Sequence, residues 1–187
     1  MIKRIFDLIL CTIALPILGI PLLLVYLAVK ATSQGPALHW SKRVGQNNEI
    51  FLMPKFRSMK LNTPQVATHL LADPKQYLTP IGGFIRKTSL DELPQLLSVV
   101  KGDMSFVGPR PALFNQADLI ELRTKYGVNN LRPGITGWAQ VNGRDELPIA
   151  EKVKFDKYYS DHQSVLLDAR IILITLLKVF LGDGVSH

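Results

Sequence analysis

Between Leu8 and Val29 the chain reads LILCTIALPILGIPLLLVYLAV, twenty-two residues without a charge. No other feature limits the fold so strongly, because roughly 20 apolar residues cross a bilayer as a helix. A cleaved signal peptide suits the basic start at Lys3 and Arg4. The run is nevertheless longer than the roughly 7–15 residues of a signal core, and no small-residue cleavage site follows. A plain spanning helix has the right length, but Pro16 and Pro21 fall in its middle. Each proline removes a backbone donor and crowds the preceding turn, so a kink is expected. Basic residues also stand on both sides, Lys3 and Arg4 before the run and Lys30, Lys42, Arg43, Lys55 and Arg57 after it. Such residues favour the cytoplasmic face, which draws both ends to one side. A helix that goes in, breaks at the prolines and returns satisfies both flanks. A re-entrant hairpin over residues 1–32 is the expectation.

The remaining residues, 33–187, are expected to form one cytosolic domain. A chain of 187 residues has room for a single sizeable core. The fold class expected is α/β and mostly helical: a membrane helix-break-helix, then a small domain with interface helices and short strands. A short strand is expected at Ala37–Ser41 and another near the start of Glu49–Met59, where Pro54 restricts it to an edge. An apolar helix is expected to start at Ser89, and helical periodicity also marks Pro111–Tyr126, Glu151–Tyr159 and Val165–Leu181. The last of these is apolar on most faces yet holds Asp168, Arg170 and Lys178. It reads equally as a core helix or as one lying in the membrane interface.

Charge and cysteine content narrow the function classes. The net charge of +7 points to anionic partners: acidic lipid, nucleic acid or a phosphorylated substrate. A nucleic-acid binder has no use for a long apolar anchor, so none is expected. The lone Cys11 excludes a disulfide within the chain, and the scattered His39, His69, His162 and His187 lack metal-ligand spacing.

The most informative local pattern is Ser89-Leu90-Asp91-Glu92, which follows Arg86-Lys87 and precedes an apolar stretch. It has a plain structural reading as a capping box, with Ser89 at the N-cap and Glu92 bonding back to it. It also has a functional one. A helix start offers free amides for a phosphate, Arg86 and Lys87 add charge, and an ionised Asp91 can act as a nucleophile or bind magnesium. Gly108-Pro109-Arg110-Pro111, Arg132-Pro133-Gly134 and Asn142-Gly143-Arg144 each set an arginine in a rigid turn. Arginine forks match phosphates, and three such turns suggest an anion site. Trp138 is either a core residue or a stacking surface.

Taken together, these stretches resemble the bacterial sugar transferase family, the monotopic phosphoglycosyl transferases. The resemblance runs through KRIFD at Lys3–Asp7, SQGPAL at Ser33–Leu38, PKFRSM at Pro54–Met59 and RKTSLDELPQL at Arg86–Leu96. It continues through KGDMSFVGPRP at Lys101–Pro111 and RPGITGWAQVNGR at Arg132–Arg144. The length is similar to that of the minimal members that consist of the catalytic domain alone. By that resemblance Asp91 and Glu92 match a catalytic pair, with Asp91 the nucleophile towards a UDP-sugar and polyprenyl phosphate the acceptor. Magnesium (Mg2+) held by Asp91 and Glu92 is implied as the cofactor. Lys55 and Arg86 match basic residues near the phosphates, and Arg110, Arg144 and Arg57 are expected to bind substrate. The implied place is the bacterial inner membrane with the domain on its cytoplasmic face, and the implied partners are membrane lipids and a second copy in a homodimer. One departure stands out: members often carry Ser-Pro at the helix break, where this chain has Ile20-Pro21 and an additional Pro16. The competing expectation is a membrane-anchored basic module that holds lipid or protein without catalysis.

Overall fold

The computed structural model describes residues 2–64, 73–143 and 147–181, with Phe180 described by its backbone alone. The structure is mostly helical, with a few short strands. Helix α1 occupies Ile2–Thr32 and is, among the described residues, the one helix long and apolar enough to cross a membrane. It continues through Pro16 and Pro21, so the expected helix-break-helix is a single helix in its hydrogen bonding. A proline removes only its own donor, and a long helix flanked by good helix formers absorbs that loss by bending rather than stopping.

Both ends of α1 are fastened to the domain, and its middle is not. Near the start, Lys3 Nζ donates to Asp168 Oδ2 at 2.7 Å, and Asp7 Oδ1 accepts from Ser105 Oγ at 2.9 Å and from the Phe106 amide at 3.1 Å. The Arg4 guanidinium donates to the carbonyls of Val99 and Val100. Near the other end, Val25 and Val29 are buried in a cluster with Ala37, Phe56 and Ile85. Between these anchors, Ile13, Ile17 and Ile20 are 56%, 67% and 71% exposed.

Strands β1 (Leu38–Val44) and β2 (Ile50–Phe56) form an antiparallel hairpin in which Trp40 faces Pro54 and His39 faces Lys55. The first strand runs three residues beyond the expected Ser41. Pro54 is tolerated because the sheet has only two strands, as the edge rule requires. Helix α2 (Gly82–Lys87) leads to a 3-10 segment, Leu90–Gln95, and then to α3 (Leu96–Lys101). The expected α-helix from Ser89 therefore begins seven residues late. Pro94 is the physical reason, since it has no amide to give the Leu90 carbonyl and its ring crowds that turn.

Strands β3 (Ser105–Val107) and β4 (Gly134–Thr136) pair in parallel. The region after β3 lies against β4 so closely that a Cβ on Gly134 meets the Gly108 nitrogen at 2.1 Å. Helix α4 (Ala117–Lys125) is shorter than the periodicity over Pro111–Tyr126 suggests, because Pro111 and Ala112 bond to Arg43 and Val44 of β1, and Leu113 and Gln116 bond to each other. Helices α5 (Trp138–Asn142), α6 (Ile149–Asp161) and α7 (Val165–Leu181) complete the fold. Helix α7 has one face in the core, as the first of the two expectations has it, and one apolar face left open. Asp168 and Ile171 are buried in the core, whereas Leu166, Leu173, Leu177 and Leu181 are exposed along its length. Trp138 packs on the core cluster of Val107, Val141, Tyr159 and Ile171, and it stacks on Tyr158 at 5.8 Å between centroids.

Candidate active site

Three elements converge on the Asp91-Glu92 pair of the 3-10 segment. Strand β2 contacts the 3-10 segment and brings Lys55 to it, so that Lys55 Nζ donates to Glu92 Oε1 at 2.6 Å. The loop after β3 brings Arg110, whose Nη2 donates to the same oxygen at 3.2 Å. Arg86, in the last turn of α2, exerts its charge on Asp91. The capping box does not form. Ser89 adopts a left-handed conformation (φ 55°) and its side chain caps nothing, while the Glu92 carboxylate turns to Lys55 and Arg110. Two cations outcompete one amide for a carboxylate.

The two acids lie in opposite electrostatic states. Asp91 is buried, 7% exposed. Burial is the largest influence on its carboxyl and the negative Glu92 adds to it; together they outweigh Lys55, Arg86 and Arg110 and push Asp91 up to about 6. Burial also acts to raise Glu92, but Lys55 and Arg110, through charge and hydrogen bonds, hold it well below the ordinary carboxylate range. Adjacent carboxyls driven apart in this way suit separate roles, one a fixed anion and the other a basic, reactive group.

The structure thus gathers Asp91, Glu92, Lys55, Arg86 and Arg110. It does not bring Arg57 into this group. The Arg57 guanidinium is buried at the end of α1, where it donates to Ser33 O at 3.0 Å, to Ser33 Oγ at 2.8 Å and to the Gln34 carbonyl. A cavity of about 340 Å³ opens beside it, lined also by Lys60, Asn62 and Thr79, but not by either member of the acidic pair. Arg144 lies outside the described residues. Among the described residues no cluster of three or more His, Cys, Asp or Glu exists to cage a metal. A desolvated Asp91 still fits magnesium, which commonly takes one or two carboxylates and completes its shell with phosphate and water.

Sequence reasoning missed a buried ion pair behind Arg110, formed by Arg123 and Asp156. The signal was there: Arg123 stands four residues after the buried Leu119, and Asp156 lies three residues from both Val153 and Tyr159. Charged residues on the apolar stripe of a helix mark a pair within the core.

Comparison with known proteins places the chain. The bacterial sugar transferase family matches residues 1–182. The chain belongs to that family. It is 38% identical, over 98% of its own length and 41% of the relative's, to the undecaprenyl-phosphate galactose phosphotransferase of Salmonella typhimurium. It is 40% identical, over 98% and 41% respectively, to the UDP-glucose:undecaprenyl-phosphate glucose-1-phosphate transferase of Escherichia coli. It is 34% identical, over 97% and 87%, to the exopolysaccharide production protein ExoY of Sinorhizobium fredii. The chain therefore spans about 41% of the first two relatives and most of the third. The span that matches the family contains Lys55, Arg86, Asp91, Glu92 and Arg110.

Proposed function

We propose that this bacterial sugar transferase moves a sugar phosphate from a UDP-sugar to undecaprenyl or a related polyprenyl phosphate, as the first step of exopolysaccharide or other glycan assembly. The observation that carries the reading is the pair itself, a buried and basic Asp91 beside a Glu92 fixed by Lys55 and Arg110. The names of the relatives supply the substrate class.

On this reading an Asp91 carboxylate oxygen attacks the β-phosphorus of the donor. The bond from that phosphorus to the bridging oxygen breaks, and UMP leaves with the oxygen. An oxygen of polyprenyl phosphate then attacks the same phosphorus, the bond to Asp91 breaks, and a polyprenyl diphosphate sugar departs. A carboxyl pushed up to about 6 is ionised at neutral pH yet more basic than an ordinary aspartate, as a nucleophile requires. Glu92 holds the cationic ends of Lys55 and Arg110 in place, and Arg86 and Arg110 face the transferring phosphoryl. Asp91, together with the donor's own phosphates, would hold magnesium, which when bound offsets the diphosphate charge. Arg144 belongs to the substrate contacts of this proposal through the family resemblance alone. Arg57 has a supporting part, bracing the chain where α1 ends.

The same facts support a membrane arrangement. A helix fastened to its domain at both ends and exposed at its apolar centre suits a segment that dips into one leaflet and returns, with the domain on the cytoplasmic face of the inner membrane. The deciding experiment is UMP release by the full chain in nanodiscs, with undecaprenyl phosphate, magnesium and a panel of UDP-sugars. Donor-dependent release with a transient phosphosugar adduct in intact-protein mass spectra supports the proposal. Lipid binding without turnover of any donor supports the non-catalytic module instead.

A further inference from the structure

The turn Pro109–Ala112 is tied down at every carbonyl. Pro109 O accepts from the Gly134 amide at 2.9 Å, and Ala112 O accepts from the Val44 amide at 3.0 Å. Pro111 O accepts from Arg43 Nη1 at 3.1 Å, and Arg110 O accepts from Arg123 Nη1 at 2.8 Å. Strands β1 and β4 supply three of these bonds, two from backbone amides and one from the Arg43 side chain. The fourth comes from the helical layer behind the turn. Arg123 is 7% exposed on α4, and its Nε and Nη2 both donate to Asp156 Oδ2 on α6, at 2.9 Å and 2.7 Å. Two guanidinium nitrogens therefore clasp Asp156, and the third reaches the backbone of the residue whose own side chain grips Glu92.

We propose that Arg123, held by Asp156, is a positioning residue that aims Arg110 at Glu92, and so at the phosphoryl group in transfer. The inference rests on the function proposed above. Stability alone is a poor reason for such a pair. Its neighbours Ala112, Leu119 and Val153 form an apolar cluster, and well-packed hydrophobic residues often replace a buried ion pair at no cost. What a hydrophobic residue cannot do is present a third donor to a chosen carbonyl. Around metal centres, partners that orient a functional side chain change activity by about 10–100-fold when lost, and a loss at the lower end of that scale is expected here.

The test uses the full chain in nanodiscs and the variant R123K, which keeps the charge beside Asp156 but cannot both fork onto it and reach Arg110. The first readout needs no turnover: the rate of phenylglyoxal modification at each arginine, mapped by peptide mass spectrometry. Modification of Arg110 is expected to rise severalfold in R123K, with the exposed Arg132 and the buried Arg57 unchanged. An unchanged rate at Arg110, or a rise at all three, overturns the proposal, the latter because it signals general loosening. The second readout is UMP release from UDP-glucose and UDP-galactose. R123K is expected to lower kcat about tenfold with KM for the donor little changed, and to cost nothing further in an R110A background. Equal losses in both backgrounds overturn the proposal. D156N serves as the second variant should R123K fail to accumulate, with the same pattern expected. Wild-type chain that releases no UMP from any UDP-sugar of the panel overturns the functional reading, while the modification rates still decide whether Arg123 aims Arg110.

Discussion

Replacing Asp91 with asparagine is expected to abolish turnover and to stabilise the fold, and the second effect can be worked out from its surroundings. The carboxyl rises from 3.8 to about 6 in the folded chain. That difference, at 1.36 kcal/mol per pKa unit, corresponds to about 3 kcal/mol of destabilisation once the group is ionised. The sign follows from proton counts. Between pH 4 and 6 the folded state binds more protons at this site than the unfolded state, so stability falls as pH rises through that window. Below it the carboxyl is neutral in both states and costs nothing. D91N removes the ionisation, so its gain over wild type should be absent near pH 3.5, grow through pH 4–6 and level off above. For a domain of this size about 3 kcal/mol raises Tm by roughly 6–12 °C. The assay is thermal unfolding of both proteins in one detergent across that pH range, alongside UMP release. A mutant less stable than wild type at pH 7.5, or a gap that does not change with pH, refutes the claim that Asp91 is held in an unfavourable charged state.

Glu92→Gln should do the reverse, since it takes from Lys55 and Arg110 the carboxylate oxygen they share. Glu92 lies below its ordinary value, so its stabilising contribution is present above about pH 4.5 and is lost as pH falls further. E92Q should therefore lower Tm at pH 7 by the equivalent of roughly 2 kcal/mol, with the gap closing only in strong acid. Asp168→Ala leaves both Lys3 and the Tyr159 hydroxyl without their shared carboxylate, whose Oδ1 accepts from Tyr159 at 2.6 Å. Thermal unfolding should show a loss of about 2–4 kcal/mol, with Y159F recovering part of the difference in a double mutant. For the membrane arrangement, single cysteines at the exposed Ile2 and Ala31 in a C11A background should react with an impermeant maleimide from the same side of sealed vesicles. Labelling from opposite sides would rule out re-entry.

Much of this molecule could be read before any coordinates, and the misses have physical causes. Helix α7 begins and ends where its periodicity does, because Val165–Leu181 contains neither glycine nor proline to interrupt the pattern. The pair Asp91-Glu92 was legible as chemistry, but its local geometry was not. The Ser-x-x-Glu spacing is a good signature of a cap, and it failed because Lys55 and Arg110, distant in sequence, compete for the same carboxylate. Strand β3, the partner of β4, escaped notice because three residues carry no period. What joins them is the close approach that Gly108 and Gly134 permit. Arg57 reads like its neighbour Lys55 in PKFRSM, yet the two part company, one turning to the acidic pair and the other to the carbonyls after α1.

The double fastening of α1 also bears on how, under the proposed function, a lipid acceptor is met. A protein hung from a single anchoring segment swings, and its reactive centre samples a range of heights above the bilayer. Here the domain cannot tilt away without tearing Lys3 from Asp168 or Val29 from its pocket of apolar neighbours. On the proposed membrane arrangement, the reacting plane then stays level with the headgroups. A lipid acceptor would need only to drift sideways to arrive, so a search through volume becomes a search across a surface.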